Sequence, residues 1–217
     1  MATHFLAIII PIVVCVTAAL NFQFFSWHPI CMVIAYAFLM TEAVMMFSAT
    51  SSLIPNYSRP DKVVYHGYIM AGVLLAALQG FAVIYLNKER NGKEHFTTWH
   101  GIVGVITVGY TVLQAIAGIA LKYNATLVSY LPRSFTLAKW KLYHALSGCF
   151  LFILGCAALL AGLYSSWFQN NTNEYVWGLT MVSGLLLTFI AVGHMSDFVK
   201  SKQPVPPTAR STPRATK

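Results

Sequence analysis

The chain has 217 residues, of which 57% are hydrophobic and only 9% are charged, and its formal net charge is +8. Soluble domains carry about 25% charged residues, so this composition, with a mean hydropathy of +0.64, excludes an ordinary soluble domain and indicates a membrane protein. No stretch resembles a nucleic-acid-binding module, so we expect the basic excess to orient the chain in a lipid bilayer rather than to bind nucleic acid.

Six long apolar segments follow one another along the chain, each able to cross about 30 Å of hydrocarbon as a helix of ~20 residues. The fold class predicted is an all-α membrane protein with six transmembrane helices in one domain, residues 1–200. Helix 1 lacks a positively charged start and is expected to be an uncleaved anchor. Residues 201–217, basic and rich in proline, are predicted to form a disordered cytosolic tail. The predicted helices span residues 5–21, 27–49, 63–86, 98–121, 142–165 and 175–199.

Lysine and arginine are unevenly divided between the two sets of loops. If the N-terminus is cytosolic, eleven of them lie on the cytosolic side and three, Lys88, Arg90 and Lys93, lie on the lumenal side. Because positive residues favour the cytosolic side, this division predicts that both termini are cytosolic.

One histidine stands at the start of each of the predicted helices 2 to 5, namely His28, His66, His100 and His144. Histidine within a membrane is unfavourable and usually functional. Helices 2 and 4 run in one direction and helices 3 and 5 in the other, so the histidines form a lumenal pair, His28 with His100, and a cytosolic pair, His66 with His144. Each pair could clamp one haem iron within a four-helix core, with the irons about 20 Å apart along the membrane normal.

Other interpretations stay open for these histidines. A single membrane histidine is often only a hydrogen-bond donor between helices. Zinc prefers four converging ligands, which two pairs at opposite faces do not supply. The chain has no C-x-x-C-H sequence, so any haem would be held non-covalently as haem b, and no disulfide framework is expected. The rival functions are a membrane scaffold or transporter with structural histidines, and a haem-binding sensor that passes no electrons.

Four sequence strings resemble the cytochrome b-561 family of ascorbate-dependent transmembrane reductases: FSWHPICM (25–32), YHG (65–67), HFTTWHG (95–101) and KLYHALSG (141–148). Together with LMTEA (39–43) and LPRSFTLAK (131–139), they are most similar to the cytochrome b-561 domain-containing protein 2 subgroup.

The resemblance implies a transmembrane oxidoreductase with two b haems per chain held by the four histidines. It implies cytosolic ascorbate as the electron donor, and monodehydroascorbate radical or ferric iron as the lumenal acceptor. It also implies a homodimer in the endoplasmic reticulum or a cytoplasmic vesicle membrane.

Substrate contacts are less clearly indicated. The family arginine near the end of helix 2 is absent, because residues 42–53 read EAVMMFSATSSL. Other cytosolic cations are therefore candidate ascorbate ligands, and Lys141 lies three residues before His144, on nearly the same helix face. The alternative is that these cations only orient the chain or bind lipid phosphate. The cytosolic candidates are Lys141, Lys139, Arg133, Arg59 and Lys62.

The lumenal candidates are His95, Lys93 and Phe96, of which His95 matches the family pattern H-F-x-x-x-H. Two further ionisable residues have no clear role. Glu42 lies within helix 2 and should have a partner that the sequence does not identify, and His194 is expected to be structural. His4, close to the N-terminus, is expected to be solvated.

Overall fold

The computed structural model describes residues 1–123 and 136–200, with side chains up to residue 197. Six helices in these ranges are long and apolar enough to cross a membrane, which confirms the predicted all-α six-helix class. A short helix, Ser166–Asn170, precedes the last of them. The predicted tail and Arg133 lie outside the described residues. The six long helices are α1 (Ala2–Leu20), α2 (Phe24–Met45), α3 (Arg59–Arg90), α4 (Trp99–Lys122), α5 (Leu137–Leu163) and α6 (Glu174–Lys200).

The start of α3, the start of α5 and the end of α2 differ from the prediction by four or five residues, and hydroxyl side chains explain these three differences. α3 and α5 begin several residues earlier than predicted, because Ser58 and Thr136 accept hydrogen bonds from the backbone N–H groups of their first turns. α2 ends at Met45 rather than at residue 49, because the Ser48 hydroxyl accepts hydrogen bonds from the backbone N–H groups of Thr50 and Ser51. Serine bonds of this kind compete with continuation of a helix.

The middle of α2 is a π-helix, Val33–Leu39, which the apolar pattern did not predict. Such wider turns are uncommon and often occur near functional sites. Tyr36 lies within it, and its hydroxyl donates to Thr111 Oγ1 of α4 at 3.0 Å, since the Thr111 hydroxyl itself donates to the Thr107 carbonyl. The π-helical turn therefore places a buried polar bond between α2 and α4.

The helices share two groups of buried side chains. The first joins α2, α3, α5 and α6 around Tyr36, Val73, Phe152 and Met195, and the second packs the inner face of α1 against α2, α5 and α6. Large apolar side chains also cover the outside of the bundle, as with Phe189, which is 79% exposed. Exposure of such apolar side chains to water is unfavourable, so this outer surface is suited to contact with lipid.

Gly80 allows α2 and α3 to approach closely, since a Cβ atom there would lie 3.1 Å from Cys31 Cβ and 3.2 Å from Met32 Cε. Gly80→Val should therefore overpack this contact, destabilise the fold by about 1–3 kcal/mol and lower the unfolding temperature in detergent. Gly109→Val is the matched control, because no neighbouring atom lies within 4 Å of its Cβ position. Equal unfolding temperatures for the two variants would contradict the close contact.

Candidate functional site

His28 of α2 and His100 of α4 face each other at one end of the bundle, the His28 end. Their ring centroids are 6.1 Å apart and their planes are 81° to each other. His28 Nδ1 donates to the Gly80 carbonyl at 2.9 Å, and His100 Nδ1 donates to the Ala158 carbonyl at 3.0 Å. A carbonyl oxygen only accepts, so each Nδ1 carries a proton, and Nε2 of each neutral ring keeps its lone pair for a metal.

A cavity of about 240 Å³ adjoins this pair and is lined mainly by apolar side chains of α2, α3, α4 and α5. Glycines widen it: Gly104 has no neighbouring atom within 4 Å of its Cβ position, and Gly162 lies directly beside the His100 ring. An apolar space with two imidazole nitrogens at its wall suits a flat, largely apolar ring that carries a metal.

His66 and His144 lie at the opposite end of the bundle, the His66 end, where α3 and α5 begin. His66 Nδ1 donates to the Ala43 carbonyl of α2 at 3.1 Å. The His144 ring lies beside Gly118 of α4, with Cε1 3.4 Å from the glycine Cβ position.

The geometry at the His28 end fits axial ligation of one metal ion. Metal–imidazole bonds are about 2.0–2.1 Å long, so an ion between two such rings sets their nitrogens about 4 Å apart and their centroids roughly 6 Å apart. The backbone bonds at Nδ1 are the usual outer contacts of a metal-ligating histidine. Within residues 1–123 and 136–197, no three metal-ligating side chains cluster as a tetrahedral site requires. Two facing imidazoles beside an apolar cavity would suit a metal ion held within a flat ring, such as a haem iron.

The antiparallel contact of α4 and α5 sets the spacing between the two ends. His100 lies beside Gly162, and Gly118, eighteen residues later on α4, lies beside His144, eighteen residues earlier on α5. At ~1.5 Å per residue the two contacts are about 27 Å apart. This separation is close to the thickness of the membrane hydrocarbon, so the two histidine pairs lie near opposite faces.

Four of the five predicted ascorbate contacts lie at the His66 end. Arg59 and Lys62 stand at the start of α3, and Lys139 and Lys141 stand near the start of α5 with exposed side chains. The fifth, Arg133, is outside the described residues. The sequence therefore gathers positive charge at one end of the bundle, close to one histidine pair.

His95 lies between α3 and α4 at the His28 end, as predicted from its place in the sequence. Its ring stacks on Tyr85 with centroids 4.4 Å apart, and its Nε2 lies 2.7 Å from a Glu89 carboxylate oxygen. His95 and Phe96 line the same cavity as His28. These contacts hold the imidazole at the wall of the cavity.

Lys93, the third predicted residue at this end, is exposed and does not line the cavity, whereas Lys88 does. Lys88 Nζ donates to the Glu94 carbonyl at 2.7 Å. The family-like sequence strings include the loop but not the last turns of α3. The sequence therefore does not identify Lys88 as a residue of the site.

The prediction that His4 is solvated is wrong, because it is the partner of Glu42. His4 is only 7% exposed, its Nδ1 lies 2.8 Å from both Glu42 carboxylate oxygens, and its Nε2 donates to the Ser51 carbonyl at 2.6 Å. The first turn of α1 packs against the end of α2, which buries the imidazole. His194 Nδ1 lies 3.4 Å from Ser48 Oγ in the same polar region.

Comparisons with known proteins agree with the resemblance found in the sequence strings. The family model of eukaryotic cytochrome b561 matches residues 27–169, which include all four paired histidines. The chain is 39% identical to the transmembrane reductase CYB561D2 of Bos taurus over 196 residues, which are 90% of this chain and 86% of that protein. It is 38% identical to the Homo sapiens protein over the same shares. The predicted family and subgroup are thus confirmed.

A relative with lower sequence identity carries ascorbate dependence in its name. The chain is 24% identical to the transmembrane ascorbate-dependent reductase CYB561 of Ovis aries over 173 residues, which are 77% of this chain and 65% of that protein.

The buried pair of His4 and Glu42 generates a stability prediction. Glu42→Leu leaves His4 Nδ1 without its partner, and His4→Leu leaves the carboxylate unpaired, so each should destabilise the protein by about 1–3 kcal/mol. The double variant should lose less than the sum, because the two residues share one interaction. Thermal unfolding in detergent measures this, with Asp197→Asn as the control at an exposed carboxylate. Additive losses would contradict the pairing.

Proposed function

The chain belongs to the eukaryotic cytochrome b561 family, and on that premise we propose that it transfers electrons across a membrane. The electron donor is cytosolic ascorbate, the path runs through two b haems per chain, and the lumenal acceptor is monodehydroascorbate radical or ferric iron. The proposed axial ligands are His28 with His100 at the lumenal end and His66 with His144 at the cytosolic end.

The facing rings of His28 and His100, 6.1 Å apart, are the observation that carries the proposal. Backbone carbonyls hold the Nδ1 protons of both rings, so each Nε2 lone pair is available to the same ion. A haem iron held by two imidazoles supplies reversible one-electron chemistry at such a site. The protein's own contribution is to orient the ligands, surround the site with apolar groups and exclude water.

The distribution of charge supports the proposed direction. Positive loops favour the cytosol, and Arg59, Lys62, Lys139 and Lys141 stand at the His66 end. Ascorbate is an anion at neutral pH, so these cations raise its local concentration beside that histidine pair. Lys141 is the main candidate contact, because it lies one turn before His144 on α5.

At the lumenal end, His95 and Phe96 are the proposed acceptor contacts. Both line the cavity that holds the facing histidines, and His95 is fixed there by Tyr85 and Glu89. An acceptor bound at this wall would lie close to the ligands of the lumenal site. Lys93 contributes charge to the surrounding loop.

The oligomer and the compartment follow from the same premise. We take the protein to be a homodimer with both termini cytosolic, in the endoplasmic reticulum or a cytoplasmic vesicle membrane. The apolar outer surfaces of the helices are suited both to lipid and to a second copy of the chain.

The haem content of purified protein tests this proposal. Wild-type protein should contain two haems per chain by pyridine haemochrome assay, and ascorbate should produce a sharp reduced α-band. His28→Ala should retain one haem per chain, because it removes one ligand of the lumenal pair. His194→Ala is the control and should retain two, since this histidine contacts Ser48 and not another imidazole.

Each contrary result has a distinct meaning. A colourless wild-type protein, produced with sufficient haem, would replace electron transfer by a scaffold or transporter role. A coloured protein that ascorbate does not reduce would point to a sensor or to another donor. Two haems in His28→Ala would show that the histidines are paired differently.

Lys141 provides a test of the donor end. Lys141→Ala should raise the ascorbate concentration needed for half-maximal haem reduction by up to about fivefold, since single exposed ion pairs contribute little. The effect should shrink as salt is added, because salt screens exposed charges. Lys93→Ala at the opposite end is the matched control and should leave this concentration unchanged. A larger effect from Lys93→Ala would reverse the proposed orientation.

A further inference from the structure

His144 differs from the other three paired histidines in its hydrogen bonding. Nδ1 of His28, His66 and His100 each donates to a backbone carbonyl of a neighbouring helix. His144 Nδ1 is buried and has no hydrogen-bond partner among the described residues. If Nε2 of His144 binds a metal, the proton of the neutral ring must sit on Nδ1, and this buried donor then requires an acceptor.

A matching acceptor lies on the helix that packs against His144. Gln114 of α4 is 6% exposed, and its Oε1 is one of only three buried side-chain atoms in the described chain that lack a partner. The third atom, Thr41 Oγ1, belongs to a hydroxyl of α2. One unpaired amide oxygen and one unpaired imidazole nitrogen are therefore buried on two adjacent helices, α4 and α5.

The register of α4 and α5 brings position 114 to the required place. At the His28 end, His100 lies beside Gly162, and its acceptor is the carbonyl of Ala158, four residues before that glycine. At the His66 end, His144 lies beside Gly118, and the residue four positions before that glycine is Gln114. The same offset on the partner helix thus selects Gln114.

The Gln114 amide is already bound to the turn that carries His144. Its Nε2 donates to Ser147 Oγ, and the Ser147 hydroxyl donates to the His144 carbonyl at 3.3 Å. With the amide nitrogen held in this way, the amide oxygen is the remaining group of the side chain that can act as an acceptor.

We propose that Gln114 is a positioning residue for the cytosolic haem site, whose Oε1 accepts the hydrogen bond from His144 Nδ1 when haem is bound. This rests on the proposed function, because it takes His144 to be an axial ligand. The bond fixes the ring orientation and makes the imidazole a stronger electron donor, which lowers the reduction potential of the metal it binds. The lumenal site obtains the same effect from backbone carbonyls alone.

The experiment compares Gln114→Met, which has a similar length but no acceptor, with Gln114→Glu, which keeps an acceptor oxygen. Gln114→Met should hold one of its two haems 10–100-fold more weakly, the range found when such outer partners are lost. It should also raise the reduction potential of that haem and leave the other unchanged. Gln114→Glu should retain both haems. Gln79→Met, at an exposed glutamine of α3, is the matched control and should behave as wild type.

Two results would overturn the assignment. If Gln114→Met keeps both haems with wild-type affinities and potentials, the backbone carbonyl of residue 114, which this change leaves in place, is the acceptor instead. If Gln114→Glu loses haem as Gln114→Met does, an acceptor oxygen at this position does not preserve the site, and Oε1 is not the group that supports His144. A wild-type protein without haem would instead overturn the proposed function, so the two failures are distinguishable.

Ser147→Ala provides a second variant if Gln114→Met does not fold. It removes the hydroxyl that holds the Gln114 amide, so the potential of the same haem should rise by a smaller amount. An unchanged potential in Ser147→Ala would contradict the proposed role of the amide.

Discussion

Hydrogen bonds from imidazole Nδ1 atoms to backbone carbonyls of neighbouring helices are the interaction on which the bundle depends. A buried N–H group in hydrocarbon has no water to bind, so it needs an acceptor within the protein, and three of the four histidines have one. His28 reaches from α2 to α3, and His66 reaches back from α3 to α2. His100 reaches from α4 to α5. These bonds join α2 with α3 and α4 with α5. They also leave Nε2 of each of these three rings available to a metal.

This arrangement explains why glycines accompany the histidines. An imidazole can approach a neighbouring backbone only where a side chain is absent, and Gly162 and Gly118 provide that space beside His100 and His144. Gly80 has two uses, since its carbonyl accepts from His28 while its missing side chain lets α2 contact α3. The same register of α4 against α5 places the two histidine layers about 27 Å apart.

Hydropathy and motif spacing were sufficient to predict the six spans, the family and which histidines face each other at the His28 end. The partners of those histidines were not predictable, because any residue can offer a carbonyl and only the helix register decides which one does. The π-helix of α2 has no distinct apolar pattern. His4 was misjudged because its burial depends on α1 packing against the end of α2. Glu42, in contrast, was correctly expected to have a partner, since a carboxylate among apolar residues needs one.

The proposed function requires that the two histidine layers carry electrons from one face of a membrane to the other. Sealed vesicles that contain the purified protein and enclosed ferricyanide, with ascorbate added outside, test it most directly. The enclosed ferricyanide should be reduced in vesicles with wild-type protein, at a rate far above that in protein-free vesicles, and His28→Ala should abolish the difference. Electron transfer across the membrane would be contradicted if wild-type protein with two haems per chain gave ferricyanide reduction no faster than in protein-free vesicles.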